Sequence, residues 1–248
     1  MSGHNRWSKI KRKKEAMGAT KGVLFTKLIR EITVAARTGG DAEHNARLRT
    51  AVLAAREANM GAESITRAIK KGTGELEGIS YEELVYEGYG PGGVAMVLEI
   101  LTDNKNRSAG DVRTILTKGG GSMAASGSVS FIFDHKGVIP VKPGPTEDQV
   151  MELALDAGAE DVVADGEGGF EVRTEVAALN AAHKALEGKL PVGAPRRMYV
   201  PKTTVHLEGE TAHKLFRLIE HLEENDDVQH VYANFEIDDA TLASLTEG

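Results

Sequence analysis

The chain has 248 residues and no cysteine, carries a net charge of −7, and is 41% hydrophobic but only 5% aromatic. The lack of cysteine excludes disulfides, thiolate catalysis and cysteine-ligated zinc, and it fits a reducing, cytoplasmic location. No apolar run is long enough to cross a membrane, so we expect no transmembrane helix. No apolar segment follows the basic start, so we expect no signal peptide.

The charge is distributed very unevenly along the chain. Residues 1–73 contain 16 Lys/Arg and 6 Asp/Glu, whereas the remaining 175 residues contain 14 Lys/Arg and 31 Asp/Glu. A basic segment attracts polyanions and an acidic one repels them. The sequence therefore predicts that nucleic acid binds the N-terminal third, and that the acidic remainder is kept away from the phosphates.

Three amphipathic helices are predicted in the N-terminal third. Apolar residues recur with helical spacing over 23–37 and 44–58, and a third helix carries Ile65 and Ile69 inward and ends at Gly72. The short break before the third helix resembles a helix-turn-helix, whose second helix would enter the major groove. However, the third helix exposes mainly Lys and Arg and lacks the Asn or Gln that pair with adenine, so an ordinary three-helix bundle is favoured.

Glycine-punctuated strands follow these helices. Two strands are predicted over 81–89 and 94–102, joined by a Gly-Pro-Gly-Gly turn. A capping box beginning at Ser108 predicts a helix over 109–118. A further strand is predicted over 128–134.

From residue 137 the pattern is a complete β-α-β-β-α-β unit, which is the ferredoxin-like plan. The segments on either side supply a strand, helix and strand each, so they predict a second copy of this plan, into which the first is inserted. The predicted order is strand 137–142, helix 147–157, strand 161–165, strand 169–174, helix 176–187, strand 197–200, strand 204–207, helix 211–224 and strand 228–237.

The predicted fold class is α+β, with an N-terminal helical domain and two ferredoxin-like (β-α-β-β-α-β) domains, one inserted in the other. The predicted domains are a basic helical nucleic-acid-binding domain over 1–74, a discontinuous α+β domain over 75–134 and 202–248, and an inserted α+β domain over 135–201.

The candidate nucleic-acid-binding residues are mostly cations that could neutralise phosphates. Trp7 could stack on a base or could anchor the N-terminal arm. The loop over 103–107 precedes a capped helix and offers an anion site, or it is an ordinary polar turn. The full set is His4, Arg6, Trp7, Lys9, Lys11, Arg12, Lys13, Lys14, Lys21, Lys27, Arg30, Arg37, Arg49, Arg56, Arg67, Lys70, Lys71, Asn104, Lys105, Asn106 and Arg107.

No pattern indicates an enzyme or a bound cofactor. A Gly-x-Gly-x-x-Gly motif begins at Gly88, but a strand rather than a helix is predicted after it, which indicates a hairpin turn. The glycine run at 119–121 lacks the Gly-Lys-Ser/Thr of a phosphate-binding loop. His213 and His221 share a helix face without an acidic partner at metal-binding spacing. We therefore expect no catalytic residue, no metal, no cofactor and no small-molecule substrate.

Several motifs along the whole chain occur together in one known family. They are Gly3-His4-x-x-Trp7-x-x-Ile10-Lys11, Phe25-Thr26-Lys27-Leu28-Ile29-Arg30-Glu31, Ala58-Asn59-Met60, Ile69-Lys70-Lys71-Gly72-Thr73-Gly74, Tyr86-Glu87-Gly88-Tyr89-Gly90-Pro91-Gly92-Gly93, Thr102-Asp103-Asn104-Lys105-Asn106-Arg107 and Gly127-Ser128-Val129. In these the chain resembles the YebC/PmpR family. The resemblance implies three domains, with one α+β domain inserted in another, and a cytoplasmic regulator without known catalysis.

The resemblance leaves two functions open. Some family members are described as DNA-binding transcriptional regulators, and the helix-turn-helix-like break favours that function. Others, including mitochondrial relatives, are described as translation factors that act on ribosomes and help across proline-rich stretches. Trp7, the Lys-rich arm, the acidic body and the lack of base-reading side chains favour this second function, in which the partner is ribosomal RNA or the ribosome rather than DNA. Neither function involves a membrane.

Overall fold

The computed structural model describes residues 21–238 and 240–241. The chain divides into two compact units, one formed by residues 134–200 and the other by the residues before and after them. The mixture of helices and antiparallel sheets confirms the predicted α+β class.

The larger unit begins with three helices. They are α1 (Lys21–Ala35), followed by a 3-10 turn (Ala36–Thr38), α2 (Ala46–Glu57) and α3 (Ala62–Thr73). The Asn45 side chain begins α2 by accepting a hydrogen bond from the Leu48 backbone N–H at 3.0 Å. The helices enclose a small aliphatic core that includes Ile32, Leu48 and Ile65.

The third helix continues through Gly72 to Thr73 and is capped by Gly74, which adopts the left-handed conformation with φ of 83°. The prediction that Gly72 ends this helix was therefore wrong. At Gly72 a Cβ atom would lie 2.3 Å from the Thr33 carbonyl oxygen, so glycine is required there by the close approach of α3 to α1.

The α+β part of the larger unit is built on a four-stranded antiparallel sheet, in the order β3 (Ser122–Ala124), β1 (Glu82–Tyr89), β2 (Ala95–Thr102) and β9 (Val228–Ala233). One face of the sheet packs on two helices, and residues such as Leu98, Leu116 and Leu215 form its core. A separate parallel pair joins β8 and β10. The elements are β1 (Glu82–Tyr89), β2 (Ala95–Thr102), α4 (Lys105–Lys118), β3 (Ser122–Ala124), β8 (Val205–His206), α7 (Gly209–Glu224), β9 (Val228–Ala233) and β10 (Phe235–Glu236).

This α+β part differs from the second ferredoxin-like copy that the sequence predicts. The 81–89 hairpin strand belongs to the sheet, whereas the predicted strand over 128–134 is a 3-10 turn (Ser130–Ile132) leading into β4. The short edge strand β3 was not predicted. The predicted strand over 204–207 pairs with β10 outside the main sheet.

The predicted capping box at Ser108 was also wrong. Helix α4 begins one turn earlier, because the Asn104 side chain accepts from the Arg107 backbone N–H at 3.1 Å. Ser108 instead lies buried inside the helix and hydrogen-bonds to other side chains.

The smaller unit has the ferredoxin-like strand order. Its elements are β4 (Phe133–Val141), α5 (Glu147–Asp156), β5 (Asp161–Ala164), β6 (Phe170–Glu175), α6 (Leu179–Leu186) and β7 (Arg196–Pro201). The sheet order β5-β6-β4-β7 is the one expected when two β-α-β halves interleave. The predicted capping box at Thr146 is present, with Gln149 as its second member.

Candidate nucleic-acid interface

The helical part presents exposed cations on two of its helices. Arg56 lies in the last turn of α2, and Lys70 and Lys71 lie in the last turn of α3. All three side chains are exposed, and none of them forms an ion pair with another residue of the part of the chain that the structure describes. They are therefore available to an anion.

Two further exposed cations have local partners only. Arg67 pairs with Glu63 one turn away at 3.2 Å, but both side chains are more than half exposed, and such pairs contribute little. Arg49 donates to the backbone carbonyls of Ala42 and Glu43 in the turn before its own helix. Lys21, the first described residue of α1, is exposed.

Two predicted binding residues on α1 are instead used within the molecule. The Lys27 ammonium is buried and donates to the Glu223 carbonyl at the C-terminal end of α7, at 2.6 Å. A cation at this position complements the negative end of the helix dipole. Arg30 Nη1 donates to the carbonyls of Leu101 and Asp226 and to the Asp227 carboxylate.

Asp227 is the acceptor on which these contacts converge. Its carboxylate accepts hydrogen bonds from the side chains of Arg30 at 2.6 Å, Ser108 at 2.6 Å, Arg107 at 2.9 Å and Thr102 at 3.0 Å. Burial alone would raise the pKa of Asp227, but these hydrogen bonds outweigh it and lower the pKa to about 2. The carboxylate is therefore ionised and fully paired, although it is only 4% exposed.

Two other arginines tie the helical part to the residues after it. Arg47 forms paired hydrogen bonds with Glu31 on α1 and with Glu83 on β1. Burial would lower the pKa of Arg47, but these two carboxylates raise it overall. Arg37, one of the predicted binding residues, is exposed and donates to the Tyr81 carbonyl at 2.8 Å.

The predicted anion loop over 103–107 is also committed to internal contacts. Asn104 caps α4, the Lys105 carbonyl accepts from Tyr86, and Arg107 pairs with Asp103 and Asp227. A cavity of about 530 Å³ beside it is lined by five carboxylates against two guanidinium groups. This lining disfavours a phosphate, so we leave the loop out of the candidate interface, although the Lys105 and Asn106 side chains are exposed.

The predicted basic arm lies outside the described residues. It comprises His4, Arg6, Trp7, Lys9, Lys11, Arg12, Lys13 and Lys14. Their binding role stays a prediction from charge and sequence.

A second buried carboxylate was missed by sequence reasoning. Glu87 on β1 accepts hydrogen bonds from the backbone N–H groups of Val129, Gly127 and Ser130 at 2.6, 2.7 and 3.0 Å. Burial would raise the pKa of Glu87, but the three backbone donors lower it. Nothing in the local sequence distinguishes Glu87 from the exposed Glu82 and Glu83 on the same strand.

Sites for other ligand classes are not evident. Across residues 21–238 and 240–241, no three His, Asp or Glu side chains are grouped in a way that could hold a metal ion. Over the same ranges, no helix is long and apolar enough to span a membrane.

Comparison with known proteins agrees with this architecture. Residues 5–75 match the family described as "TACO1/YebC protein N-terminal domain", and residues 81–235 match "TACO1/YebC second and third domain". A crystal structure of a conserved hypothetical protein from Aquifex aeolicus is 47% identical, with a TM-score of 0.81, and the match covers 90% of this chain and 93% of that one.

Two curated relatives are similar over their whole length. A protein of Myxococcus xanthus is 58% identical across 100% of both chains. One of Persephonella marina is 52% identical across 99% of this chain and 100% of its own. Both are named "Probable transcriptional regulatory protein".

The fold and the charge distribution together define an α+β protein with a basic helical N-terminal part. The family matches and the identity along the full chain place it further: the chain belongs to the TACO1/YebC family.

Proposed function

We propose that this protein is a non-enzymatic, nucleic-acid-binding regulator of gene expression that acts in the cytoplasm. It contacts the sugar–phosphate backbone through the exposed cations of α2 and α3 and through the basic arm that precedes α1. The names of its relatives support a regulatory role. Backbone contacts of this kind give affinity without choice of sequence.

The observation that carries the proposal is the accessible charge on α3. Lys70 and Lys71 project from the last turn of an amphipathic helix whose opposite face, including Ile65 and Ala68, is buried. Because the fold fixes that face in the core, the cations are held outward. Their freedom from ion pairs with other described residues leaves their charge for a phosphate.

The direct test is charge reversal of these two lysines. We expect Lys70→Glu/Lys71→Glu to weaken binding to a short DNA or RNA duplex, and to reduce the log–log salt slope by roughly 2 on DNA, since each lost phosphate contact contributes about 0.9. The matched control is Lys184→Glu/Lys189→Glu, which changes the net charge equally at exposed positions in the acidic remainder.

The control separates a local interface from a general charge effect. The proposal expects the control variant to bind as the parent does. Equal weakening by both variants would show that only net charge matters, and unchanged binding by the Lys70/Lys71 variant would remove α3 from the interface.

Sedimentation of the protein from a cell lysate distinguishes ribosomal RNA from DNA as its partner. We favour ribosomal RNA as the partner, because the outward side chains of α3 include no adenine-reading Asn or Gln. Sedimentation of the tagged protein through a gradient, near physiological salt and after DNase treatment, tests this. Migration with ribosomes or a subunit supports a translational role. If the protein stays at the top, DNA becomes the favoured target and its binding sites can be mapped.

A further inference from the structure

The contacts around Asp227 join segments that are far apart in the sequence. Arg30 belongs to α1 in the helical part, whereas Thr102, Arg107 and Ser108 belong to the end of β2 and the start of α4. Asp227 itself precedes β9, and its backbone carbonyl accepts from the Leu101 N–H at 2.8 Å. One carboxylate therefore binds the helical part and the α+β part of the larger unit at the same point.

The two sides of this junction differ in chemistry. The α1 side supplies cations, Lys27 and Arg30, while the α+β side supplies the Asp227 carboxylate and three backbone carbonyls. The guanidinium of Arg30 also lies over the Tyr81 ring, 5.4 Å from its centroid. The junction is thus specified by directional polar contacts.

Hydrogen bonds and ion pairs depend on direction, whereas apolar packing does not. Arg30 and Asp227 are 13% and 5% exposed at their side chains, so water competes weakly for them. Removing one partner of a buried ion pair leaves an uncompensated buried charge, which is strongly destabilising. In the structure this pair forms with α1 lying at the C-terminal end of α7.

We propose that Asp227 is a positioning residue that, through Arg30, holds the helical part in a single orientation on the α+β part of the larger unit. Arg107, Ser108 and Thr102 hold the Asp227 carboxylate in place from the α+β side. The clamp thereby fixes the direction in which the exposed cations of α2 and α3 face. The orientation that the clamp fixes does not depend on whether those cations bind nucleic acid.

The test measures a distance across the junction. Because the chain contains no cysteine, Glu57→Cys on α2 and Arg113→Cys on α4, both exposed, provide unique sites for two spin labels. Double electron–electron resonance on the full chain should give one narrow distance distribution. We expect Arg30→Gln to abolish that narrow distribution, and Arg30→Lys, which keeps the charge, to retain it.

The matched control is Arg107→Gln. It removes a guanidinium from the same carboxylate, but Arg107 and Asp227 lie on the same side of the junction, so the narrow distribution should persist. Asp227→Asn should broaden it as Arg30→Gln does. Circular dichroism establishes that each variant is folded, and Arg30→Gln decides the matter if Asp227→Asn does not fold.

Two outcomes would overturn the clamp. An unchanged distribution in folded Arg30→Gln would show that other contacts set the orientation. Equal broadening in Arg30→Gln and Arg107→Gln would show that Asp227 maintains the α+β part and has no specific role across the junction.

Discussion

Glu87 illustrates how one buried carboxylate can organise a loop that has little regular structure. It is 4% exposed and accepts three backbone N–H groups from residues 127–130, a glycine- and serine-rich stretch with no strand partner. A carboxylate can accept all three hydrogen bonds. The side-chain amide of glutamine would instead place an NH2 group, which donates, against backbone N–H groups that also donate. The loop before β4 therefore depends on the charge of this side chain as well as on its size.

We expect Glu87→Gln to lower the free energy of unfolding by about 2 kcal/mol, since hydrogen bonds to charged groups contribute more than neutral ones and a buried unpaired donor is costly. Urea denaturation followed by circular dichroism measures this. Glu82→Gln, an exposed position on the same strand, is the control and should change stability by less than about 0.5 kcal/mol. Equal effects at both positions would contradict the role given to the Glu87 carboxylate.

The lowered pKa of Asp227 leads to a second prediction at the scale of one residue, which concerns how the free energy of unfolding depends on pH. Its pKa is lowered from an ordinary value of 3.8 to about 2. A lowered pKa stabilises the folded protein above the unfolded-state pKa, and that stabilisation is lost as the pH falls through the folded-state value. The contribution amounts to about 2 kcal/mol for a shift of this size.

The difference in unfolding free energy between the parent and Asp227→Asn isolates this contribution from the other carboxylates. We expect the difference to be about 2 kcal/mol near pH 6, and to shrink as the pH falls from about 4 through 2, because Asp227 then becomes protonated and uncharged like the asparagine. A difference that stays constant over this range would mean that the ionisation of Asp227 does not stabilise the fold.

At the scale of the element, the close contact between α1 and α3 depends on one missing side chain. Gly72 on α3 faces Thr33 and Ala36 on α1, and a Cβ atom there would lie 2.3 Å from a carbonyl oxygen and 2.6 Å from the Ala36 Cβ. Gly110, in the interior of α4, has no atom within 4 Å of the corresponding position. The same substitution therefore has opposite consequences in two helices.

We expect Gly72→Ala to destabilise the protein by about 2 kcal/mol, because the two backbones must separate. Gly110→Ala should stabilise it by about 0.5–1 kcal/mol, since alanine is the better helix former and meets no obstacle. Thermal unfolding of the two variants beside the parent measures both shifts. If Gly72→Ala were neutral or stabilising, α1 and α3 would not pack as closely as described.

Elements were predictable from the sequence wherever local chemistry decided them. The Thr146 capping box begins α5 as expected, because both of its hydrogen bonds form within one turn. The Ser108 pattern is equally good locally, yet Asn104 takes the cap and Ser108 donates to Asp227, 119 residues away. The second ferredoxin-like copy differed for a similar reason: strand pairing depends on partners distant in sequence, which periodicity does not reveal.

The same limit applies to the interface. Lys27, Arg30 and Arg107 look like phosphate ligands in the sequence, because a cation on a helix surface has the same pattern whether it meets solvent or a distant acceptor. Only their contacts with Glu223, Asp226 and Asp227 separate them from Lys70 and Lys71. The composition alone predicts that the N-terminal third is basic. Only the folded structure shows which of its cations pair internally and which are exposed.

At the scale of the whole molecule, position of charge matters more than its sum. The chain carries −7 overall, yet residues 1–20 contain six Lys/Arg and one Asp/Glu. A uniformly acidic protein would be repelled by a phosphate backbone, whereas a polarised one approaches with its basic end first. Lys11, Arg12 and Lys13 form the centre of the densest run of that charge.

We expect Lys11→Glu/Arg12→Glu/Lys13→Glu to abolish nucleic-acid binding while leaving the α+β parts folded. If about five phosphates are contacted, the parent should show a log–log salt slope of roughly −4 to −5 on duplex DNA.

The matched control is Lys142→Glu/Lys184→Glu/Lys189→Glu, which makes the same change in net charge at exposed positions far along the chain. If the uneven distribution of charge governs binding, the control variant should keep both the affinity and the log–log salt slope of the parent. If the two triple variants lose affinity equally, total charge governs binding and the basic end has no special role; if the first binds normally, the arm is not a phosphate ligand and the exposed cations of α2 and α3 must account for binding.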